Sequence, residues 1–287
     1  MRTLNARGYR LACLGLALSI SAHSGAWGRL GHYVASDIAE LYLTDAARQH
    51  IRELIGEESL AEASVWADEM RSDPAPYWQD RAGAYHYVTV PPGRRYRDIG
   101  APAQGDAVTA LRDFGRIITN TTSSPQQRRL ALRFGLHIVQ DLQQPLHAGN
   151  GRDRGGNDIR VRFRGETMTF HRFWDSTVLT STGLNRSQWV GDLERRSLLR
   201  APTTSDTDPE RWIAESAALR ETLYPVPRNI DDATLTSAQA AARTRLAAAG
   251  IRSAAWLNQV LEAPPPAGGD AAPASWWRQL LGLDAKD

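Results

Sequence analysis

Residues 136–147 read LHIVQDLQQPLH. His137 and Asp141 are four positions apart in this stretch, so a helix would present both side chains on the same face. The helix should end before Pro145, because the proline ring clashes with the preceding turn and disfavours a helical residue in front of it. His147 could then turn toward a neighbouring ion. The stretch therefore predicts a helix that brings an imidazole and a carboxylate to a metal.

The same spacing of histidine and aspartate occurs again at His171 and Asp175. Asp68 and His86 add a further carboxylate and a further imidazole, whereas His50 lies among polar residues and is predicted to be on the surface. Imidazole and carboxylate ligands without thiolate favour zinc, and manganese and iron are the alternatives. A single pair of this kind arises often by chance and is usually a hydrogen-bonded structural pair. The coincidence of several such residues favours a metal site.

The chain as a whole is predicted to be mainly helical. Apolar residues recur at helical spacing, and serine, threonine or proline at suitable positions mark several helix N-termini. The predicted helices cover residues 34–42, 44–56, 59–66, 108–118, 124–144, 209–224 and 234–261. Residues 158–170 alternate apolar and polar side chains around a turn at 164–166, which predicts one small β-hairpin. We expect a single mainly α domain over residues 27–262.

Residues 1–26 have the pattern of a secretory signal peptide. Three arginines precede an apolar run over residues 11–20, and small residues follow up to Ala26. Cleavage there would make Trp27 the first residue and export the protein to the periplasm or out of the cell, and a buried core helix is the alternative. Cys13 is the only cysteine. An exported chain without a disulfide must depend on its core or on metal for stability.

Charge limits the kinds of partner. Three of the 34 basic residues and none of the 32 acidic residues lie in the signal peptide, so the mature chain is nearly neutral. No basic run supplies a general grip on nucleic acid, and any such activity must come from a local site. Residues 263–287 are predicted to be a linker and a short tail that docks on the domain or on a membrane surface. We expect a monomer with no stable protein partner and no transmembrane segment in the mature chain.

Six motifs follow one another along the chain. They are WGRLGH at 27–32, SVWADEMR at 64–71, YHY at 85–87, LHIVQDLQQPLH at 136–147, RGGN at 154–157 and FHRFWD at 170–175. Their order resembles that of the zinc-dependent S1/P1 nuclease family of fungi, plants and bacteria, within the superfamily that includes bacterial zinc phospholipase C. The resemblance spans about residues 27 to 261 and implies a phospholipase C/nuclease-type helical fold.

The resemblance implies three zinc ions, because every ligand position of the family holds the expected residue type. It assigns Asp68, His86, His137 and Asp141 to the first zinc, His147, His171 and Asp175 to the second, and His32 with the amino group and carbonyl of Trp27 to the third. Asp141 would also bridge the third ion to the first.

The resemblance also implies a secreted endonuclease and 3'-nucleotidase, which hydrolyses single-stranded DNA and RNA to 5'-mononucleotides and accepts 3'-mononucleotides. Asp68 would orient the attacking hydroxide, and Arg71, one helical turn away, would clamp the phosphate. Tyr87 would stack a base or pack in the core, and Asn157 would line the substrate site or serve as a turn residue. Thr89 stands where the family often has an acidic or amide side chain that helps to hold the base, so base preference stays open.

Two other functions fit part of this pattern. A zinc phospholipase C would share the fold and most ligands, but its last pair is His-x-x-x-Glu and its first histidine lies farther from the leading tryptophan. Here Asp175 closes the pair and His32 follows Trp27 by five. An exported zinc-binding or storage protein would use the same ligands. It would not need Arg71 to hold a phosphate or Tyr87 to stack a base.

Overall fold

The structure is a computed structural model that describes residues 27–200 and 206–264, and these residues are mainly α-helical. The predicted signal peptide (1–26) and the tail beyond residue 264 lie outside the described residues and stay predictions. In the described part of the chain, no helix combines the length and the apolar character that crossing a membrane requires.

In the described part of the chain, the longer helices lie where the sequence predicts them except for α9, and the short helices α4 and α8 were not predicted either. The α-helices are α1 Arg29–Tyr42, α2 Asp45–Ile55, α3 Leu60–Glu69, α4 Tyr96–Ile99, α5 Ala107–Thr119, α6 Pro125–Asp141, α7 Phe170–Arg172, α8 Val178–Thr180, α9 Arg186–Arg195, α10 Pro209–Thr222 and α11 Asp232–Glu262. Short 3-10 helices cover Met70–Ser72, Ala82–His86 and Pro145–His147, and π-helical turns cover Tyr77–Arg81 and Phe173–Thr177.

Local capping explains where these helices begin. The Thr44 side chain accepts a hydrogen bond from the Ala47 amide at the start of α2. Ser59 and Ser124 each form a reciprocal capping box with a residue three positions on, at the starts of α3 and α6. Such caps satisfy backbone amides that have no partner inside the helix. The sequence prediction of these starts is confirmed.

The end of α6 is also as predicted. The helix stops at Asp141, and Gln144, the residue before Pro145, is extended with φ −79° and ψ 122°. The chain then makes a 3-10 turn over Pro145–His147. This change of direction carries His147 away from the helix axis and into a different neighbourhood from His137.

Five helices of the described chain pack against one another. α1 packs on α3 and α11, and α6 packs on α3, α5 and α11. The contact between α1 and α11 is close at Gly250, where an added Cβ would collide with Ile38 and lie 2.7 Å from the Ala35 carbonyl oxygen. Two apolar clusters result, one around α2, α3, α5 and α6, and one around α1, residues 161–179 and the N-terminal half of α11. The candidate ligands come from elements of both clusters.

The structure contains two small pairs of strands. The predicted hairpin is confirmed: β3 (Arg160–Phe163) and β4 (Glu166–Thr169) are antiparallel, and the connecting residues Arg164 and Gly165 both have positive φ. Val88–Thr89 and Ala148–Gly149 form β1 and β2, a parallel pair that the sequence did not predict. Two-residue strands leave no recognisable alternation in a sequence.

A buried ion-pair network joins α10 to α11. Glu215 accepts from Arg245 Nη1 at 2.8 Å and from two nitrogens of Arg252 at 2.8 and 2.9 Å. Burial by itself would raise the pKa of Glu215, but the hydrogen bonds and charges of Arg252 and Arg245 outweigh burial and lower this pKa to about 2. Glu215 therefore stays ionised in the folded protein at pH values where a free glutamate is protonated.

This shift predicts one contribution to acid sensitivity. Because the pKa of Glu215 is lower in the folded chain than its ordinary value of 4.5, its stabilising effect is complete above that pH and is lost as the pH falls toward about 2. We expect Glu215→Gln to have a lower thermal midpoint of unfolding than the wild type at neutral pH. We expect this gap between the two midpoints to narrow as the pH falls. Both proteins are measured with chelator, so that metal loss contributes nothing. A gap that does not change with pH contradicts this account.

Candidate metal centre

Among the residues that the structure describes, three groups of buried or half-buried histidine and aspartate side chains could each hold a metal ion. Within each group, the ligand atoms lie within 4.8 Å of one another. Group 1 is Asp68, His86 and His137, group 2 is His147, His171 and Asp175, and group 3 is His32, His137 and Asp141. Every histidine and aspartate that the sequence nominated as a ligand belongs to one of these groups.

The carboxylate of Asp141 lies between groups 1 and 3. Its Oδ1 is 3.4 Å from His32 Nε2. Its Oδ2 is 3.0 Å from His137 Nε2 and 3.1 Å from His86 Nδ1. The side chain is fully buried. The two oxygens therefore face two different sets of imidazole nitrogens, which is the arrangement a bridging carboxylate needs.

Group 2 is built on a helical run that differs from the prediction. His171 and Asp175 were expected on one regular helix, but Asp175 lies in a π-helical turn that follows α7 directly, with the Val178 amide donating to the Phe173 carbonyl. The wider turn still leaves His171 Nε2 3.3 Å from Asp175 Oδ2. The His147 ring stacks on that of His171 with 5.2 Å between centroids. π-Helical turns occur often at functional sites.

Four of the five imidazoles are held by a hydrogen bond on the nitrogen that faces away from their group, and His86 is the exception, because its Nδ1 faces Asp141. Four Nδ1 atoms contact oxygen: His32 with Gln140 Oε1 at 2.7 Å, His137 with the Ser64 carbonyl at 2.7 Å, His147 with the His86 carbonyl at 2.6 Å, and His171 with the Gly155 carbonyl at 2.7 Å. When Nδ1 donates its proton in this way, Nε2 keeps a lone pair. This is the orientation that metal-ligating histidines adopt.

Several ligand atoms in the described part of the chain are buried without a hydrogen-bond partner. They are His32 Nε2, Asp68 Oδ1, His86 Nε2, Asp141 Oδ1, His147 Nε2 and Asp175 Oδ2. Burying a polar atom without a partner costs free energy. All of these atoms except His86 Nε2 point into the groups, so the residues present fit metal ions, zinc among them.

Burial keeps most of the histidines neutral, as metal ligands must be. It lowers the pKa of His32 to about 3 and lowers those of His147 and His171 as well. His137 differs: burial alone would lower its pKa, but the carboxylates of Asp141 and Asp68 outweigh burial and raise it. A metal ion in this position would take the place of the proton on His137.

Trp27 is anchored beside these groups. Its side chain is fully buried, and the indole Nε1 donates to the Gln140 carbonyl at 3.0 Å. The Gly28 amide donates to the Asp175 carbonyl at 2.8 Å. These contacts hold the start of the described chain between Gln140, which precedes Asp141, and Asp175 of group 2. The role of the Trp27 amino and carbonyl groups as ligands stays a prediction.

Three residues that position the ligands were missed by sequence reasoning. Gln140 holds His32, and Gln144 Nε2 donates to Asp175 Oδ1 at 2.7 Å. Gly155 has a φ of 62°, and a Cβ there would lie 2.6 Å from the Leu146 carbonyl oxygen, so only glycine fits the turn whose carbonyl holds His171. Gln140 precedes Asp141 in α6 and Gln144 follows the end of that helix, but nothing in the local sequence distinguishes either glutamine from an ordinary polar residue.

Arg71 brings positive charge to the centre. It lies in the 3-10 turn after α3, and its Nη1 is 3.7 Å from Asp68 Oδ1. Its charge contributes to lowering the pKa of His86 and His147, after burial and neighbouring histidines, which places the guanidinium within electrostatic reach of groups 1 and 2. About a third of the side chain is exposed, so it is accessible from solvent.

The two candidate substrate residues have different surroundings. Tyr87 is 46% exposed, which excludes core packing, and it lines a pocket of about 320 Å³ together with Thr89 and Gln104. Asn157 Nδ2 donates to the Arg154 carbonyl at 3.0 Å, as a turn residue does. Tyr87 therefore presents an aromatic surface next to His86, while the contact of Asn157 is internal to its loop.

Known proteins resemble this chain over most of its length. The family model described as S1/P1 Nuclease matches residues 27–262. Nuclease S1 from Aspergillus oryzae is 24% identical over 282 residues, which cover 86% of this chain and 96% of the relative. Endonuclease 4 from Arabidopsis thaliana is 28% identical over 278 residues, with 83% and 90% covered. Nuclease P1 from Penicillium citrinum is 30% identical over 160 residues, with 52% and 57% covered.

Among solved structures, the alpha toxin from Clostridium absonum superposes with a TM-score of 0.47 at 16% identity, covering 85% of this chain and 66% of that chain. The match to the family model includes all six motifs and all three groups of the candidate centre. It favours a nuclease over the phospholipase C and the non-catalytic zinc-binding protein. The chain belongs to the S1/P1 nuclease family, whose members are hydrolases of phosphodiester bonds in nucleic acids.

Proposed function

We propose that the protein is an exported, zinc-dependent endonuclease and 3'-nucleotidase that hydrolyses single-stranded DNA and RNA to 5'-mononucleotides, and that it acts as a monomer with three zinc ions. The observation that carries the proposal is the position of Asp141, whose two carboxylate oxygens face His32 on one side and His86 and His137 on the other. A carboxylate placed in this way supports two adjacent metal sites, and group 2 supports another.

The residues fit zinc in three sets. Group 1 with Asp141 would hold the first ion, group 2 the second, and His32, Asp141 and the Trp27 amino and carbonyl groups the third. When bound, zinc supplies positive charge to the phosphate and makes water a nucleophile at neutral pH. The remaining tasks, which are to orient the phosphate and to hold the base, fall to side chains of this chain.

Arg71 and Asp68 are suited to act on the phosphate. The guanidinium can donate two hydrogen bonds to phosphate oxygens in a planar fork. The Asp68 carboxylate, 3.7 Å from Arg71 Nη1, holds the guanidinium on the side of group 1. Asp68 Oδ1 is itself buried without a hydrogen-bond partner. That oxygen can accept a hydrogen bond from an attacking water next to the phosphate.

Cleavage of a single kind of bond accounts for both activities. Breaking the bond between phosphorus and the 3'-oxygen of a diester leaves phosphate on the 5' carbon of the next nucleotide. Breaking the same bond in a 3'-mononucleotide releases inorganic phosphate. A base stacked on Tyr87 would lie outside any duplex, since a paired base cannot leave its neighbours to reach the ring, and stacking contributes about 1–3 kcal/mol per base. Single strands are therefore the expected substrates.

The proposal is tested by offering four substrates to mature protein with and without chelator: single-stranded DNA, RNA, 3'-AMP and phosphatidylcholine. We expect chelator-sensitive hydrolysis of the first three, with 5'-mononucleotides as the end products of the polymers. Polymer products that end in 3'-phosphate would overturn the assigned bond. Hydrolysis of phosphatidylcholine instead of nucleic acid would favour the phospholipase alternative.

Arg71→Ala is expected to reduce kcat/KM while zinc content stays at the wild-type level, because the guanidinium is assigned to phosphate and to no metal. Loss of hydrogen bonds to a charged group predicts a decrease of about tenfold to a hundredfold. Arg48→Ala is the matched control, since Arg48 has a similar exposure and pairs with Glu40 on the surface. Zinc content is measured by mass spectrometry. A lower zinc content in the Arg71 variant than in the wild type would contradict the assignment of Arg71 to phosphate.

Tyr87→Ala is expected to raise KM for 3'-AMP by about tenfold, as the loss of one stacked base predicts, and to leave kcat and zinc content nearly unchanged. Tyr87→Phe keeps the aromatic face and is the control that should behave as the wild type. Steady-state kinetics on both variants make the comparison. Identical KM values in the alanine and phenylalanine variants would show that no base stacks on this ring.

A further inference from the structure

Arg220 is a buried arginine whose ion-pair partner, among the residues that the structure describes, is a partly exposed acid. Its side chain, on α10, is 1% exposed, and its carboxylate partner Glu221 is about half exposed. The guanidinium also donates from Nη1 to the carbonyl oxygens of Val90, at 2.9 Å, and of Ala148. Burying a guanidinium is costly unless its hydrogen bonds are made, so these two backbone contacts account for its position.

The two carbonyls belong to two segments of the candidate site. One segment carries Tyr87 and the pocket that it lines with Thr89 and Gln104, called the base pocket below, and the other carries His147 of group 2. Val90 follows β1, which comes directly after His86 and Tyr87. Ala148 begins β2 directly after His147. The segments pair in parallel with Val88 opposite Ala148, and the Val90 amide donates to the Gly149 carbonyl at 2.8 Å.

This strand pair is too short to be stable by itself. Each strand has two residues, and isolated two-stranded pairs of greater length are already marginal in water. Arg220 Nη1 contacts the carbonyl of Ala148 in β2 and the carbonyl of Val90, the residue after β1, so it holds the two segments together from outside the ladder. Without the guanidinium, the carbonyls of Val90 and Ala148 would be left buried with fewer partners, at a cost in free energy.

We propose that Arg220 is a positioning residue that fixes the Tyr87 base pocket relative to the His147 group. The inference rests on the proposed function. In a nucleotide, a single ribose joins the base to the 3'-phosphate and limits the distance between them, so a substrate can use both Tyr87 and the metal centre only if β1 and β2 keep their register. Arg220 touches neither the base nor the ligands, and its effect on them passes through the backbone of the two strands.

The test compares Arg220→Lys and Arg220→Gln with the wild type. Lysine keeps the charge but not the planar fork, and glutamine keeps one donor without the charge. Arg252→Lys is the matched control, because Arg252 is another buried arginine whose contacts go to side chains, Asp206 among them, and not to the strand backbone. Circular dichroism verifies that each variant is folded.

Two measurements are made on each protein. The first is hydrogen exchange at the Val90 amide, which needs no substrate. We expect about tenfold to hundredfold faster exchange in both Arg220 variants, as the loss of a hydrogen bond to a charged group predicts, and no change in the control. The second is KM for 3'-AMP and for ribose 3-phosphate, which lacks the base. We expect KM to rise only for 3'-AMP.

Either of two results overturns the inference. Unchanged exchange at Val90 would mean that Arg220 does not hold the strands together. Faster exchange at Val90 together with an equal rise in KM for 3'-AMP and for ribose 3-phosphate would mean that the strand register does not position Tyr87 for binding the base. Failure of the proposed function itself looks different, because the wild type would then hydrolyse neither compound.

Discussion

Asp141→Asn is expected to bind at least one zinc fewer than the wild type and to lose at least about a hundredfold in hydrolysis rate. Replacing a residue that merely supports a metal ligand already costs about 10–100-fold in metal affinity or activity. Asp141 is assigned to two ions at once, through an oxygen near His32 and an oxygen near His86 and His137. An amide has one oxygen and no charge, so it cannot replace both contacts.

The same substitution separates the bridging role from a structural one. Asp192 is also a buried aspartate, but it pairs with Arg243 and Arg196 and belongs to none of the three groups. Asp192→Asn is expected to lower the thermal midpoint and to keep zinc content and rate. Zinc per chain is measured after dialysis against buffer with limiting zinc. If Asp141→Asn kept the wild-type zinc content and rate, Asp141 would not bridge two sites.

A chain extended by a few residues ahead of Trp27 is expected to bind about two zinc ions instead of three and to lose most of its activity while keeping its fold. In such a chain the Trp27 nitrogen is a peptide amide with no lone pair to donate. After cleavage it is an amine with an ordinary pKa of about 8, which can lose its proton to a metal. The buried indole and the bond from the Gly28 amide to Asp175 keep this nitrogen beside the centre.

The matched control uses the same extended protein, with a protease site placed so that cutting leaves Trp27 as the first residue. Activity and the third zinc are expected to return after the cut, and mass spectrometry establishes which form is present. Full zinc content and full activity in the uncut protein would exclude the amine as a ligand. Trp27 would then serve only as a buried aromatic residue that packs on α6.

The parts of the fold that sequence analysis predicted are those specified by neighbouring residues. Ser124 and Gln127 are three positions apart and form the capping box that starts α6. Pro145 acts on the residue before it and ends the ligand helix region. The histidine and aspartate ligands could be nominated because their types and spacing carry the chemistry, and their order along the chain resembles that of a known family.

The parts that could not be predicted depend on partners distant in sequence. Gln140 holds His32 across 108 positions, and Arg220 reaches Val90 across 130. Nothing in the local sequence distinguishes these side chains from ordinary polar residues on an amphipathic helix. The π-helical turn at Asp175 was missed for a related reason, since an insertion of this kind changes the helix without changing the spacing of its ligands.

For the exported protein that we propose, the unpartnered ligand atoms in the centre also affect how long the molecule survives. Zinc that binds only the folded chain stabilises it by mass action, by about 2.7 kcal/mol when free zinc is a hundred times its Kd. Extracellular proteases cut chains that open transiently, and with Cys13 as the only cysteine the chain cannot form an internal disulfide to prevent opening. We therefore expect scarcity of zinc to abolish hydrolytic activity and also to speed proteolysis of the protein. The loss of activity is reversed when zinc returns, whereas degraded molecules are not recovered.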